Sequence, residues 1–188
     1  YRAISQEDPS IMVKKVKQYK QEGYTKFQLK VGGNPYEDIE RIIEVRSNLH
    51  SQDILIADAN TGWLMHDALK VINKTKHLDI YYEQPCISNE ACLQIRKKTN
   101  NPFILDENID SILSFLKAFN DKAMDIINIK ISKMGGITKS KLLRDLCIEC
   151  QIPMTIEDSW GGDIATSAIA HLAHSTPTKF RFSSTDFN

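Results

Sequence analysis

The sequence predicts an α/β fold, a (β/α)8-type barrel domain built on parallel strands. Three observations carry the prediction. Short apolar, often β-branched runs alternate with amphipathic helical stretches along the whole chain, with no composition break and no low-complexity linker. Ile54-Leu55-Ile56-Ala57-Asp58 is the plainest of these runs, a buried strand that ends abruptly in a carboxylate. The unit recurs about every 25 residues, with a different charged residue at each strand end. Counting Tyr1 to Ile4 as the end of a first strand gives about eight strands and seven helices, which favours a barrel over an open doubly wound sheet. No G-x-G-x-x-G follows the first strand, so a dinucleotide-binding open sheet has no positive support.

Pro9 to Glu22 reads as a helix. Pro9 suits the first turn, Ile11, Met12, Val16 and Tyr19 form one stripe, and Gly23 stops it. Lys26 to Val31 is then a strand closed by Gly32-Gly33. A helix runs from Tyr36 to Leu49, with Ile39, Ile42, Ile43 and Val45 apolar. The strand Ile54 to Asp58 leads to a helix from Met65 to Thr75. Asp79 to Glu83 is a strand and Glu90 to Lys98 a helix; Pro102 to Asp106 is a strand and Ser111 to Phe119 a helix. The pattern continues with strand Asp125 to Ile131, helix Thr138 to Cys150, strand Pro153 to Glu157, helix Asp163 to His174 and strand Lys179 to Ser184.

The 188 residues suffice for one domain with a real core but are few for a complete barrel enzyme. The 24 basic residues balance 24 acidic ones, and no basic stripe stands out, so neither nucleic acid nor an anionic membrane is an expected partner. No apolar run approaches the roughly 20 residues that span a bilayer. No signal peptide is read, because the chain opens on Tyr1-Arg2-Ala3-Ile4. Cys147 and Cys150 form C-x-x-C inside a helix with no second pair, so reduced thiols, not a zinc site, are expected, in a cytoplasmic setting.

The chemistry sits at the strand ends. In chain order they carry Lys30, Asp58, Glu83, Asp106 beside Glu107, Lys130, and Glu157 beside Asp158. In a barrel the C-terminal strand ends converge on the face where active sites lie. Taken singly, Lys30 is a solvated strand end, and Asp58 and Asp106 are helix caps. Glu83 precedes Gln84-Pro85, a rigid turn, and Lys130 lies in an apolar run, so neither has an easy structural role. The ordered set Lys, Asp, Glu, Asp, Lys is a stronger signal than any member. Three converging carboxylates repel one another unless a divalent cation joins them. All-oxygen donors favour a hard ion, Mg2+ or Mn2+. Such an ion stabilises an enolate when a base takes the proton next to a substrate carboxylate. A lysine acting as that base needs a lowered pKa.

Six stretches carry a resemblance: Gln28 to Gly32, Ala57 to Trp63, Tyr82-Glu83-Gln84-Pro85, Leu105-Asp106-Glu107, Ile127 to Lys130, and Lys133-Met134-Gly135-Gly136-Ile137. Together they resemble the mandelate racemase/muconate lactonizing enzyme family of the enolase superfamily. The resemblance implies Asp58, Glu83 and Asp106 as Mg2+ ligands and Lys30 and Lys130 as acid/base catalysts on opposite faces of a carboxylate substrate. The resemblance also favours Asp106 over Glu107, since in the muconate-lactonizing type the acid of this Asp-Glu pair that ends the strand binds the metal. Asn60, Gln28 and Glu107 then stand behind the ligands as supporting residues. The family's lysine motif is often Lys-x-Lys; here Gln28 takes the first position, which removes a positive charge near Lys30. The segments Ile156 to Asp163 and Ser184 to Asn188 look most like enzymes of hydroxyproline and proline-betaine metabolism. That likeness implies Asp158 as a partner for a substrate ammonium, and Trp160 or Phe187 as a ring face for a cationic nitrogen.

Racemisation or epimerisation of a proline-type amino acid or betaine is the expected outcome. Dehydration of a hydroxyproline by the same enolate is the alternative. The family's capping domain and last barrel helix are not represented, so the chain reads as a fragment of a larger enzyme, self-associating by family resemblance. That gap leaves a non-catalytic barrel fragment as a rival reading. A phosphate-binding barrel using Gly135-Gly136 and Gly161-Gly162 is another. His171 and His174, three apart on a helix, are expected to face away from the strand ends.

Overall fold

The computed structural model describes residues 1–159 and 161–185. Within them strands and helices alternate without exception: β1 (Arg2–Ile4), α1 (Pro9–Gln21), β2 (Lys26–Lys30), α2 (Pro35–Ser47), β3 (Ile54–Asp58), α3 (Met65–Thr75), β4 (Tyr81–Glu83), α4 (Asn89–Arg96), β5 (Phe103–Leu105), α5 (Ile112–Asn120), β6 (Ile126–Lys130), α6 (Ile137–Glu149), β7 (Met154–Glu157), α7 (Asp163–His174) and β8 (Arg181–Ser184). Each element follows from local chemistry. Asp8 caps α1 by accepting from the Ser10 amide, and Pro9 fills the first turn, where no N–H is needed. Asn34 and Pro35 open α2 in the same way, one residue earlier than the apolar stripe predicts. Tyr81–Glu83 is shorter than the expected strand because the Ile80 amide turns back to the Leu78 carbonyl. β8 starts at Arg181, not Lys179, because the amides of Phe180 and Arg181 both donate to the Pro177 carbonyl in a turn.

Residues 1–103 and 104–188 form two compact units. In the first, β1, β2, β3 and β4 pair in parallel in that order, with Lys30 opposite Asp58 and Asp58 opposite Glu83. In the second, Ile104 and Leu105 of β5 pair with β6, β6 with β7 and β7 with β8, with Lys130 opposite Glu157. Strands buried on both faces are the mark of parallel sheets covered by helices. Phe27, Leu29, Leu55 and Ala57 are fully buried in the first unit, and Ile104, Leu105, Ile127, Ile129, Met154 and Ile156 in the second. Among the described residues no helix is long and apolar enough to cross a membrane.

A buried polar pair ties α3 to β4. Thr75 and Tyr82 are both fully buried, with their hydroxyls 2.7 Å apart. Burial pushes the Tyr82 phenol up to about 12, against the opposing pull of the Thr75 hydrogen bond. The unfolded phenol ionises near 10, so the folded state holds the proton more tightly. This contribution is fully present below pH 10 and lost as pH rises toward 12, by about 2–3 kcal/mol. Denaturant titrations across that window are expected to show a shallower decline for Tyr82→Phe, which has no proton to lose.

None of the four cysteines is in a disulfide, and Cys86, Cys92 and Cys147 are buried while Cys150 is half-exposed. The C-x-x-C pair is thus split between an inward and an outward residue. Burial raises the Cys86 thiol to about 11 and that of Cys147 well above its usual range. A thiol reagent at pH 8 is expected to modify Cys150 first, with Cys86 and Cys147 protected until the protein unfolds.

Candidate active site

In the first unit, strand register places Lys30, Asp58 and Glu83 side by side at the C-terminal ends of β2, β3 and β4. Asp58 and Glu83 are almost completely buried. Lys30 Nζ lies 2.5 Å from Asp58 Oδ2 and stays one-third exposed. Gln28, two residues earlier on the same face of β2, donates from Nε2 to both Glu83 oxygens at 3.1 and 3.0 Å. Gln28 therefore serves Glu83, satisfying the carboxylate with a neutral donor. Asn60 supports Asp58 through its backbone, since the Asn60 amide donates to Asp58 Oδ1 at 2.9 Å while its side chain is exposed. Asn60 and Thr61 adopt left-handed backbone, φ 44° and 67°, and so reverse the chain directly after the carboxylate. Trp63 is buried, with its indole N–H on Asp38.

In the second unit, Asp106 follows β5 and is 1 % exposed. Lys130 ends β6 with Nζ 2.5 Å from Asp106 Oδ2 and 3.8 Å from Glu157. A further cation, which the sequence did not single out, joins them. Lys133 Nζ lies 3.0 Å from Asp106 Oδ1 and also donates to the Asp106 carbonyl. The turn after β6, closed by the Met134 amide on the Lys130 carbonyl, folds Lys133 back onto Asp106. Lys133 opens one of the family-like stretches, Lys133 to Ile137, but nothing in the sequence gave it a role. Burial pulls the Lys130 ammonium down, but Asp106, Glu157 and Glu107 together outweigh it and hold its pKa above the ordinary lysine range. This is the reverse of the lowered pKa expected for a base, because the carboxylates that surround the lysine favour its charged form. Glu107, half-buried, acts here through its charge on Lys130.

Neither Asp58 nor Asp106 caps a helix. α3 has Leu64 at its N-cap with no side-chain bond, and α5 is capped by Ser111 and Ser114 in a reciprocal box. Asp158, expected to meet a substrate ammonium, accepts from the amides of Ser132 and Ser159 at 2.9 and 2.7 Å and from the Ser132 hydroxyl, tying the turn after β7 to that after β6. Trp160 and Phe187 lie outside the described residues. His171 and His174 are exposed on α7. Among the described residues no three His, Cys, Asp or Glu side chains stand in metal-holding geometry. Asp58 and Asp106 pair with lysines, and Glu83 with an amide. The donor set nonetheless suits Mg2+ in kind: every candidate ligand is a nearly fully buried carboxylate, which is costly to keep charged without a cation partner.

Residues 11–188 match the family described as Enolase C-terminal domain-like. The chain belongs to that family. The cis-3-hydroxy-L-proline dehydratase of Roseibium aggregatum is 59% identical over 188 residues, covering 100% of this chain and 51% of that protein. The N-succinyl-L-Arg/Lys racemase of Bacillus cereus is 34% identical over 180 residues, 92% of this chain and 48% of that protein. A solved member of the enolase superfamily from Roseovarius nubinhibens, complexed with magnesium, matches with a TM-score of 0.92 at 30% identity, covering 97% of this chain and 50% of that one. The resemblance read from the motifs and the (β/α)8-type barrel class both hold. The enolase-type chain spans about half the length of the relatives it matches.

Proposed function

We propose that this chain is the barrel half of a Mg2+-dependent enzyme that removes the α-proton of a proline-type carboxylate and expels a β-hydroxyl as water. The substrate class is a 3-hydroxyproline. The observation that carries the reading is the pair of strand-end couples, Lys30 with Asp58 and Lys130 with Asp106, each joining a potential acid/base to a buried carboxylate. The 59% identity to a hydroxyproline dehydratase over the whole chain supports dehydration ahead of the epimerisation expected from two lysines alone.

Asp58, Glu83 and Asp106 are the proposed Mg2+ ligands, and Mn2+ has the same donor preference. When bound, the ion neutralises the charge that builds on the substrate carboxylate as the α-proton leaves. Gln28 keeps both Glu83 oxygens fixed by hydrogen bonds. One lysine takes the α-proton at Nζ. The other protonates the departing hydroxyl, so the Cβ–O bond breaks, water leaves and a Cα–Cβ double bond forms. The resulting cyclic enamine tautomerises to an imine. If no leaving group is present, the second lysine returns a proton to the opposite face of Cα and the outcome is epimerisation. The racemase relative supports that second reading. The test is product identification with the full protein, Mg2+ and cis-3-hydroxy-L-proline. A trapped cyclic imine supports dehydration; a C2 epimer with its hydroxyl intact supports epimerisation. Unchanged substrate in a folded, Mg2+-loaded sample counts against both.

A further inference from the structure

Asp38 is fully buried, charged, and takes no part in the chemistry above. It lies in the first turn of α2, but the helix is already capped by Asn34. Its carboxylate reaches into the loops instead. Oδ2 accepts from the amides of Gly32 and Gly33 at 3.0 and 2.9 Å and from the Trp63 indole N–H at 2.9 Å. Oδ1 accepts from Arg41 Nη1 at 2.9 Å and from Gln6 Nε2 at 3.4 Å. Arg41 supplies the countercharge a buried carboxylate needs, and its Nε donates to the Glu7 carbonyl at 2.9 Å. One side chain thus gathers the segments that follow β1, β2 and β3.

Two of those segments matter for the candidate site. Gly32 and Gly33 come directly after the Lys30-Val31 strand end, and Trp63 closes the turn that starts at Asp58. The two turns also touch backbone to backbone. A Cβ on Gly32 would fall closer than 3 Å to the Ala59 carbonyl oxygen, and one on Gly62 closer than 3 Å to that of Gly32. Gly32 has φ 100°, which a side chain opposes in any case. The turn after β3 is joined in the same way to the turn after β4, by the Thr61 amide on the Gln84 carbonyl and the Trp63 amide on that of Pro85. Asn60, Thr61 and Gln84 all hold left-handed backbone, at φ 44°, 67° and 35°. Non-glycine residues keep such conformations only where their surroundings over-determine them.

We infer that Asp38 is a positioning residue that locks the turn after Lys30 to the turn after Asp58 and so sets the spacing of that pair. Its catalytic consequence rests on the function proposed above; the lock itself does not. Asparagine cannot replace it. Whichever way the amide is turned, its NH2 faces either three N–H donors or the Arg41 guanidinium and Gln6 amide.

The test uses the full protein with Asp38→Asn and Trp63→Phe, the latter removing a single donor. Amide hydrogen exchange, kcat and KM are measured together. In Asp38→Asn, exchange in residues 31–34 and 59–63 is expected to rise about tenfold or more, with β6 in the other unit unchanged. Turnover of a hydroxyproline is expected to fall about 100-fold, the size of effect that a small misplacement of a reacting group produces, with KM moving far less. Trp63→Phe moves both readouts in the same direction by less. If Asp38→Asn does not fold, Trp63→Phe alone decides by the same criteria. Unchanged exchange at both turns overturns the inference, as does a uniform rise across the whole chain. If the unaltered protein acts on no proline derivative, the functional reading falls while amide exchange still decides the lock.

Discussion

Lys130→Met is expected to lower turnover by about 10²–10⁴-fold, the usual range for removing a positioned general acid or base. The lysine is 15 % exposed and sits between Asp106 and Glu157, so its loss also leaves buried carboxylate charge with less compensation. Asp106 retains Lys133 at 3.0 Å, which limits that structural cost. A thermal midpoint recorded beside the kinetics separates the two effects. Lys30→Met is expected to be equally damaging to turnover and to lower stability as well, because it takes the paired ammonium from Asp58, whose side chain is fully buried. The two variants also divide the roles. The lysine whose loss abolishes exchange of the α-proton with solvent is the base. The lysine whose loss preserves that exchange while blocking release of water is the acid. If both variants turn over at the wild-type rate, the strand-end lysines are not the catalysts.

The second large effect concerns the metal. With Mg2+ at a hundred times its dissociation constant, the native protein is expected to gain about 2.7 kcal/mol of stability, and an Asp58→Asn/Glu83→Gln variant none. The reasoning is electrostatic. Asp58 and Glu83 lie opposite one another in the β3–β4 register, both nearly fully buried, and a dication relieves their mutual repulsion. Calorimetric titration and the thermal midpoint, followed together, read the effect. Equal Mg2+ stabilisation of the variant would place the ion elsewhere.

Much of the site was legible because it is one-dimensional. A charged residue that ends an apolar run is visible in any barrel sequence; Lys30, Asp58 and Glu83 stand in strand-end register in the first unit, and Lys130 meets Asp106, just past β5, in the second. Helix and strand identities were legible for the same reason, with boundaries moved by local capping at Asn34 and by the turn at Pro177. What was not legible depends on partners remote in sequence. Gln28 was expected both as a missing lysine beside Lys30 and as support behind the ligands, but which ligand it serves, Glu83 on β4, shows only in the fold. Lys133 stood in a family-like stretch without an assigned role, and its partner Asp106 is set only by the turn after β6. Asp38 carried no reading in the sequence; its bond to Trp63, 25 residues away, appears only when the loops are packed. The family likeness implied Asp158 as a substrate partner, but its bond to Ser132, on another turn, has no signal in the sequence.

The proposed activity of this chain is abstraction of the proton α to a carboxylate. The most direct measurement is proton NMR of cis-3-hydroxy-L-proline incubated in D2O with the full, Mg2+-loaded protein. The α-proton signal is expected to disappear with, or before, loss of the β-hydroxyl, and the Lys130→Met and Lys30→Met variants to separate the two events. A substrate that is consumed while its original α-proton stays in the product, or that keeps its α-proton indefinitely beside a folded protein, would contradict it.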